Sequence, residues 1–248
     1  QREGKHAQSL NHPNIVKVFD FDRDGKLVYL TMELLRGEPL QLRLRDADRP
    51  LDAAERLRIA RGIISGLGYA HAQGLVHADI KPSNVFLGED GEPKLLDFGI
   101  ARAITSSTVT ATEEALGSVH YISPEQAKGA SIDRRSDVFS LGIVLWELLT
   151  GRRLYKAEND LATFQMIINS KPQPPSQVRA DCPPELDAII LRALHADVAH
   201  RLRRAREHRF TRRLLEVDAN ASDDAVRNAY RDLLKVWHPD RFAHDPQL

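Results

Sequence analysis

His77-Ala78-Asp79-Ile80-Lys81-Pro82-Ser83-Asn84 is the stretch around which the chain is organised, and Asp97-Phe98-Gly99 begins thirteen residues after Asn84. It carries an acid, a lysine and an asparagine on one short loop, followed by a second acid. Asp79 is suited to accept or position the proton of a hydroxyl. Lys81 is suited to neutralise a phosphoryl group in transfer. Asn84 and Asp97 can supply oxygens to magnesium, a hard cation that selects oxygen ligands. Phosphoryl transfer asks a protein mostly for positioning and charge neutralisation. These residue types at this spacing meet that need, whereas a lone Asp-Phe-Gly would leave a chance acid in a polar loop as the simpler account.

The bulk numbers fit an ordinary globular chain. Its 248 residues are 42% hydrophobic and 28% charged, enough for one or two domains with a sizeable core. A formal net charge of zero advertises neither a nucleic-acid nor a membrane surface. Cys182 is the single cysteine, so no intramolecular disulfide forms, which points to a reducing compartment and a cytoplasmic location. No apolar run approaches a bilayer span and no secretory leader is visible. Because Gln1 rather than Met opens the chain, the natural N-terminus is expected upstream.

Working outward from the loop, Asp52 to Gln73 predicts a long amphipathic helix, with Leu57, Ala60, Ile64, Leu67, Ala70 and His71 at helical spacing and Gly74 closing it. Val85–Leu87 and Pro93–Leu96 flank Gly88-Glu89-Asp90-Gly91 and predict a hairpin that delivers Asp97 at a strand end. A second hairpin is predicted from Val16–Asp20 and Lys26–Met32 around Asp22-Arg23-Asp24-Gly25. Val138 to Gly151 is almost wholly apolar and predicts a helix buried on all sides. Residues 102–116 are rich in Thr, Ser and Ala without a period, which reads as a loop. Pro184–Leu194 predicts another helix. The basic run Arg203, Arg204, Arg206, Arg209, Arg212 and Arg213 reads as a solvated face, with no motif for nucleic acid.

With both motifs in order, the chain resembles the eukaryotic-type protein kinases of bacterial style, whose catalytic loop H-R-D-x-K-x-x-N precedes D-F-G. The lysine two residues after Asp79 resembles the serine/threonine subclass. The resemblance implies an α+β, kinase-like fold, mainly the helical C-lobe with a partial N-lobe. Residues 1–36 would be the end of helix C, strands 4 and 5 and the hinge; residues 37–208 would be the C-lobe. It implies ATP and Mg2+, a protein Ser or Thr as acceptor, Asp79 and Lys81 as catalytic residues, and Asn84 and Asp97 as metal ligands. Backbone groups of Glu33 and Leu35 would hold adenine, Met32 would be the gatekeeper and Phe86 the floor under the base. His77 would brace the loop, Asp137 would bond the loop backbone, and Arg201 would pair with a buried Glu125. Glu3 matches the helix C glutamate, but the glycine-rich loop and the lysine strand are absent from this sequence, so weak or no activity is expected of the piece. Gly117-Ser118-Val119-His120-Tyr121-Ile122-Ser123-Pro124-Glu125 resembles the end of the activation segment. The family's arginine before the catalytic acid is Ala78 here, which argues against switching through a phosphorylated loop read at that position.

The last stretch changes character. Ser222 to Val236 predicts a helix with Val226, Tyr230, Leu233 and Trp237 on one stripe and Arg227, Arg231 and Lys235 on another face. His238-Pro239-Asp240 follows at once. Residues 209–248 thereby resemble part of a J-domain, which implies a DnaK-type chaperone as partner through Arg227, Arg231, Lys235, His238, Pro239 and Asp240. The alternative to an enzyme is therefore a kinase-shaped scaffold that recruits a chaperone.

Overall fold

The computed structural model describes residues 10–24, 27–98, 119–169 and 171–201. Two helices carry the core. The first, α2 (Ala53–Ala72), is started by a capping box in which Asp52 accepts from the Glu55 N–H and the Glu55 carboxylate accepts from the Asp52 N–H. Such reciprocal capping satisfies two donors that a helix start leaves open. The second, α4 (Arg134–Thr150), is capped by Asp133 and ends at Gly151 with φ 69°. Most of its residues are buried, the polar Ser136, Asp137 and Glu147 included. Ile59, Ile63, Leu67 and Ala70 of α2 join Phe139, Ile143 and Val144 of α4 in one core cluster, with Ile80, Val85 and Leu95.

Two small sheets sit on one side of this core. The antiparallel hairpin pairs β1 (Val18–Asp24) with β2 (Leu27–Met32). Here Asp22, Arg23 and Asp24 are paired strand residues opposite Tyr29, Val28 and Leu27. The ladder thus extends through three residues that the sequence reading had given to the turn. The second sheet has the order β3 (Gly37–Pro39), β4 (Val85–Gly88), β5 (Pro93–Leu95). Strand β3 is an addition to the sequence reading. Gly37 is required there: its φ is +140°, and a Cβ would lie 2.0 Å from the Leu87 carbonyl oxygen. The segment just ahead of β1 pairs with β5 through Val16 N–H to Leu95 O at 2.9 Å and Leu95 N–H to Asn14 O at 2.9 Å.

The remaining elements are helical. After β3 comes the short α1 (Leu40–Arg45). Beyond the described gap come α3 (Pro124–Ala127), α5 (Asp160–Asn169), α6 (Pro175–Val178) and α7 (Glu185–Ala193). Gly142 lets α7 approach α4 closely, since a Cβ there would meet the Ala193 Cβ at 3.0 Å.

A buried ion pair ties the far ends together, as the sequence reading expected. Arg201 is 0% exposed. Its guanidinium forks onto Glu125 at 2.7 and 2.9 Å and also donates to the carbonyls of His195, Arg135 and Ala196. Those five contacts use all five guanidinium donors. Ser136 Oγ donates to Glu125 at 2.6 Å. Burial pushes the Glu125 carboxyl up, but Arg201 and Ser136 outweigh it and hold the group below its ordinary value. Removing one member of such a pair strands a buried charge at about 3–5 kcal/mol. Arg201→Ala is therefore expected to lower the melting temperature by about 10 °C in calorimetry. A folded-state pKa below the unfolded value contributes stability above the ordinary carboxylate range and loses it as pH falls through the folded value. The gap between wild type and variant should accordingly narrow in acid. A variant that melts with the wild type would contradict this account of the pair.

Candidate active site

The loop 77–84 hangs from one carboxylate. Asp137, 1% exposed in the first turns of α4, accepts from the His77 N–H at 2.8 Å and the Ala78 N–H at 2.7 Å. The imidazole Nε2 of His71 donates to the same carboxylate at 2.7 Å. A buried acid with three donors is satisfied, and it fixes the loop against the buried helix α4. Asp133 takes the capping task, so Asp137 is released for the loop.

His77 braces the loop from within. Its Nδ1 accepts from the Asp79 N–H at 3.3 Å, so the proton sits on Nε2, which donates to the Leu96 carbonyl at 2.8 Å. Its ring packs on Phe98 with centroids 4.6 Å apart. The Leu96 N–H in turn donates to the Asn84 carbonyl at 2.9 Å. Both backbone groups of Leu96 are thus tied to the loop, and Asp97 is the next residue along the chain.

Within the loop, Asp79 Oδ2 accepts from Lys81 Nζ at 2.8 Å and from Asn84 Nδ2 at 3.0 Å. Asn84 Nδ2 also donates to the Asp79 carbonyl at 2.8 Å. Both partners are acceptors, so the amide orientation is determined and Oδ1 is the atom Asn84 has left to offer a cation. Asp97 is exposed, and no hydrogen bond or ion pair holds its carboxylate among the described residues. Magnesium takes much of its shell from phosphates and water and needs only one or two protein carboxylates. The chemistry of the Asn84 amide oxygen and the Asp97 carboxylate fits that demand. Among the described residues no three His, Cys, Asp or Glu side chains converge into a self-sufficient metal centre.

Backbone strain is concentrated here. Among the described residues, Ala78 (φ 65°) and Asp97 (φ 58°) are the non-glycine residues with positive φ. Each such conformation costs about 1–2 kcal/mol and persists only when its surroundings enforce it. At Ala78 they do. Its N–H is held by Asp137, and its carbonyl accepts from Gln126 Nε2 at 2.9 Å. The Gln126 Oε1 accepts from the Ser123 N–H, a capping box at the start of α3.

The expected hinge residues follow β2. The Glu33 N–H donates to the Lys17 carbonyl, so its own carbonyl is the backbone group left for a ligand. Its side chain takes Lys94 Nζ and the Lys17 N–H, both at 2.8 Å. Burial raises the Glu33 carboxyl, but these two donors hold it below its ordinary value. Phe86 is the ladder partner of Lys94, so both project from the same face of β4 and β5. Since Lys94 reaches Glu33, that face looks toward the hinge. Leu35 is half-buried beside the exposed Leu34. Val18, Leu30, Met32, Asp97 and Phe98 line one small cavity between the hairpin and the end of β5.

Glu3, Gly99, residues 102–116 and the tail 209–248 with its His238-Pro239-Asp240 lie outside the described residues. Sequence reasoning missed two supports. His71 was read as part of an apolar stripe. Gln126 carried a signal that could have found it, since Ser123-Pro124-Glu125-Gln126 is a capping-box pattern.

The protein kinase domain model matches residues 1–211. The chain belongs to the protein kinase family. Among kinases it is 37% identical over 227 residues to the serine/threonine-protein kinase PrkC of Bacillus subtilis, covering 92% of this chain and 34% of that protein. It is 38% identical over 236 residues to the serine/threonine-protein kinase PknB of Mycolicibacterium smegmatis, with 92% and 37% covered. It is 36% identical over 218 residues to PknB of Mycobacterium tuberculosis, with 84% and 34% covered. The chain spans about a third of the length of these curated relatives. Residues 212–248 lie beyond the kinase match. Among the described residues no helix is long and apolar enough to cross a membrane.

Proposed function

We propose that this kinase chain transfers the γ-phosphoryl group of ATP to serine or threonine hydroxyls of a protein, in the cytoplasm. The observation that carries the reading is the loop held by Asp137, in which Asp79, Lys81 and Asn84 share one hydrogen-bonded cluster. Asp79 orients the acceptor hydroxyl and takes its proton as the oxygen bonds to phosphorus. The bond from phosphorus to the bridging oxygen breaks, and ADP leaves. Lys81, 2.8 Å from Asp79, places a positive charge where the transferring group carries negative charge. Asn84 and Asp97 would hold magnesium, which when bound neutralises phosphate charge. The Glu33 carbonyl and the Leu35 backbone would take the adenine edge, with Phe86 beneath it.

The preference for Ser and Thr follows from Lys81, the position that resembles the serine/threonine subclass. Phosphoamino-acid analysis of a labelled generic protein substrate tests it. Label on Ser and Thr is expected, and label confined to Tyr would overturn the assignment. The chaperone-recruiting alternative draws on residues 209–248 alone and gains no support from the described residues.

A further inference from the structure

A cavity unused by the chemistry above is lined by Pro82 of the catalytic loop together with Tyr121 and Glu147. Four cationic side chains line it: Arg45 at the end of α1, and Arg152, Arg153 and Lys156 just after α4. The single carboxylate there is already engaged. Glu147 accepts from Tyr121 Oη at 2.7 Å and the Leu154 N–H at 3.2 Å, with Arg153 at 4.0 Å. Arg153 also donates to Tyr121 Oη and lies over its ring. Arg45, Arg152 and Lys156 are exposed and have no side-chain hydrogen bond or ion pair among the described residues. Positive charge therefore exceeds negative in this hollow, although the chain as a whole is neutral.

Its position relates it to the acceptor. Pro82 follows Lys81, whose ammonium touches Asp79. Three peptide units separate the Cα atoms of Asp79 and Pro82, so they lie within about 11 Å. An extended substrate segment covers that span in about three or four residues. Tyr121 belongs to the turn Val119–Tyr121, which continues directly into α3.

We infer that this cavity selects protein substrates carrying an anionic side chain, a carboxylate or a phosphoryl group, within about four residues of the acceptor hydroxyl. The inference rests on the kinase reading and adds its substrate class. A cationic residue would enter a hollow lined by Arg45, Arg152, Arg153 and Lys156 with Glu147 as the one lining carboxylate, an excess of like charge.

The test uses the full-length protein and a set of acceptor peptides. One Glu, phosphoserine, Gln or Lys is moved through the four positions on each side of the acceptor. Initial rates and equilibrium binding by fluorescence anisotropy are both read. At one position Glu or phosphoserine is expected to raise kcat/KM and affinity about tenfold over Gln, with Lys below Gln. A gain for phosphoserine alone identifies a phosphoryl group as the anion, and equal gains show that a carboxylate suffices. The double variant Arg152→Glu, Lys156→Glu should keep its melting temperature and bring the Glu-to-Gln ratio to about one or below. Equal rates for Glu, Gln and Lys at every position, with transfer intact, would overturn the inference and leave the kinase reading standing. Failure to label any peptide or generic protein would overturn the kinase reading, and the anisotropy series would then decide the pocket by itself.

Discussion

Asp97→Asn in the full-length protein is expected to reduce phosphoryl transfer by about a thousandfold or more, to background in most assays. The substitution isolates charge. Asp97 sits at φ 58°, a conformation that asparagine tolerates well among non-glycine residues. No hydrogen bond or ion pair of the carboxylate is lost among the described residues. The fold should therefore survive, with a melting temperature close to wild type. A neutral amide is a poor ligand for a hard dication, so what is removed is the charge that faces the phosphates. Transfer rates measured at saturating ATP and Mg2+ check it. Activity within tenfold of wild type would mean that Asp97 is not a metal ligand.

Asp79→Asn comes next in size and acts on a different quantity. General-base assistance of this kind contributes about 10²–10⁴-fold, so kcat should fall by that factor. The KM for ATP should change little, because the proposed role of Asp79 is on the acceptor hydroxyl and not on the base. The loop itself is expected to persist. Asn84 Nδ2 keeps its 2.8 Å bond to the backbone carbonyl at position 79, and Asp137 still holds the His77 and Ala78 amides. Lys81 loses its carboxylate partner. Steady-state kinetics with a peptide acceptor separates the two constants, and a change confined to the KM for ATP would contradict the assignment.

How much of this was legible beforehand depends on the range of the forces involved. The buried helix Arg134–Thr150 was plain, because an apolar run with no polar face has few other places to go. The helix Ala53–Ala72 was plain from its apolar period and from Gly74 just past its end. The Glu125–Arg201 pair spans 76 residues of sequence and became visible only through family resemblance. Three features stayed hidden. Strand Gly37–Pro39 is too short for a period and contains Gly and Pro, so it reads as a turn. His71 occupies the helical stripe of apolar residues, and only the fold reveals that its ring meets Asp137. The cationic hollow joins the end of a six-residue helix to a loop more than a hundred residues later, and neither segment is basic enough alone to stand out.

The central claim is that the Asp137-held loop is a working phosphoryl-transfer centre whose metal ligands are Asn84 and Asp97. The most direct test is the initial rate of γ-labelled phosphate transfer from ATP to a Ser/Thr peptide by the full-length protein, titrated with Mg2+ from a chelated start. The predicted result is no transfer without the metal and a saturable rise as it is added. Transfer that persists in chelator, or a protein that binds Mg-ATP yet transfers nothing at any metal concentration, would contradict it.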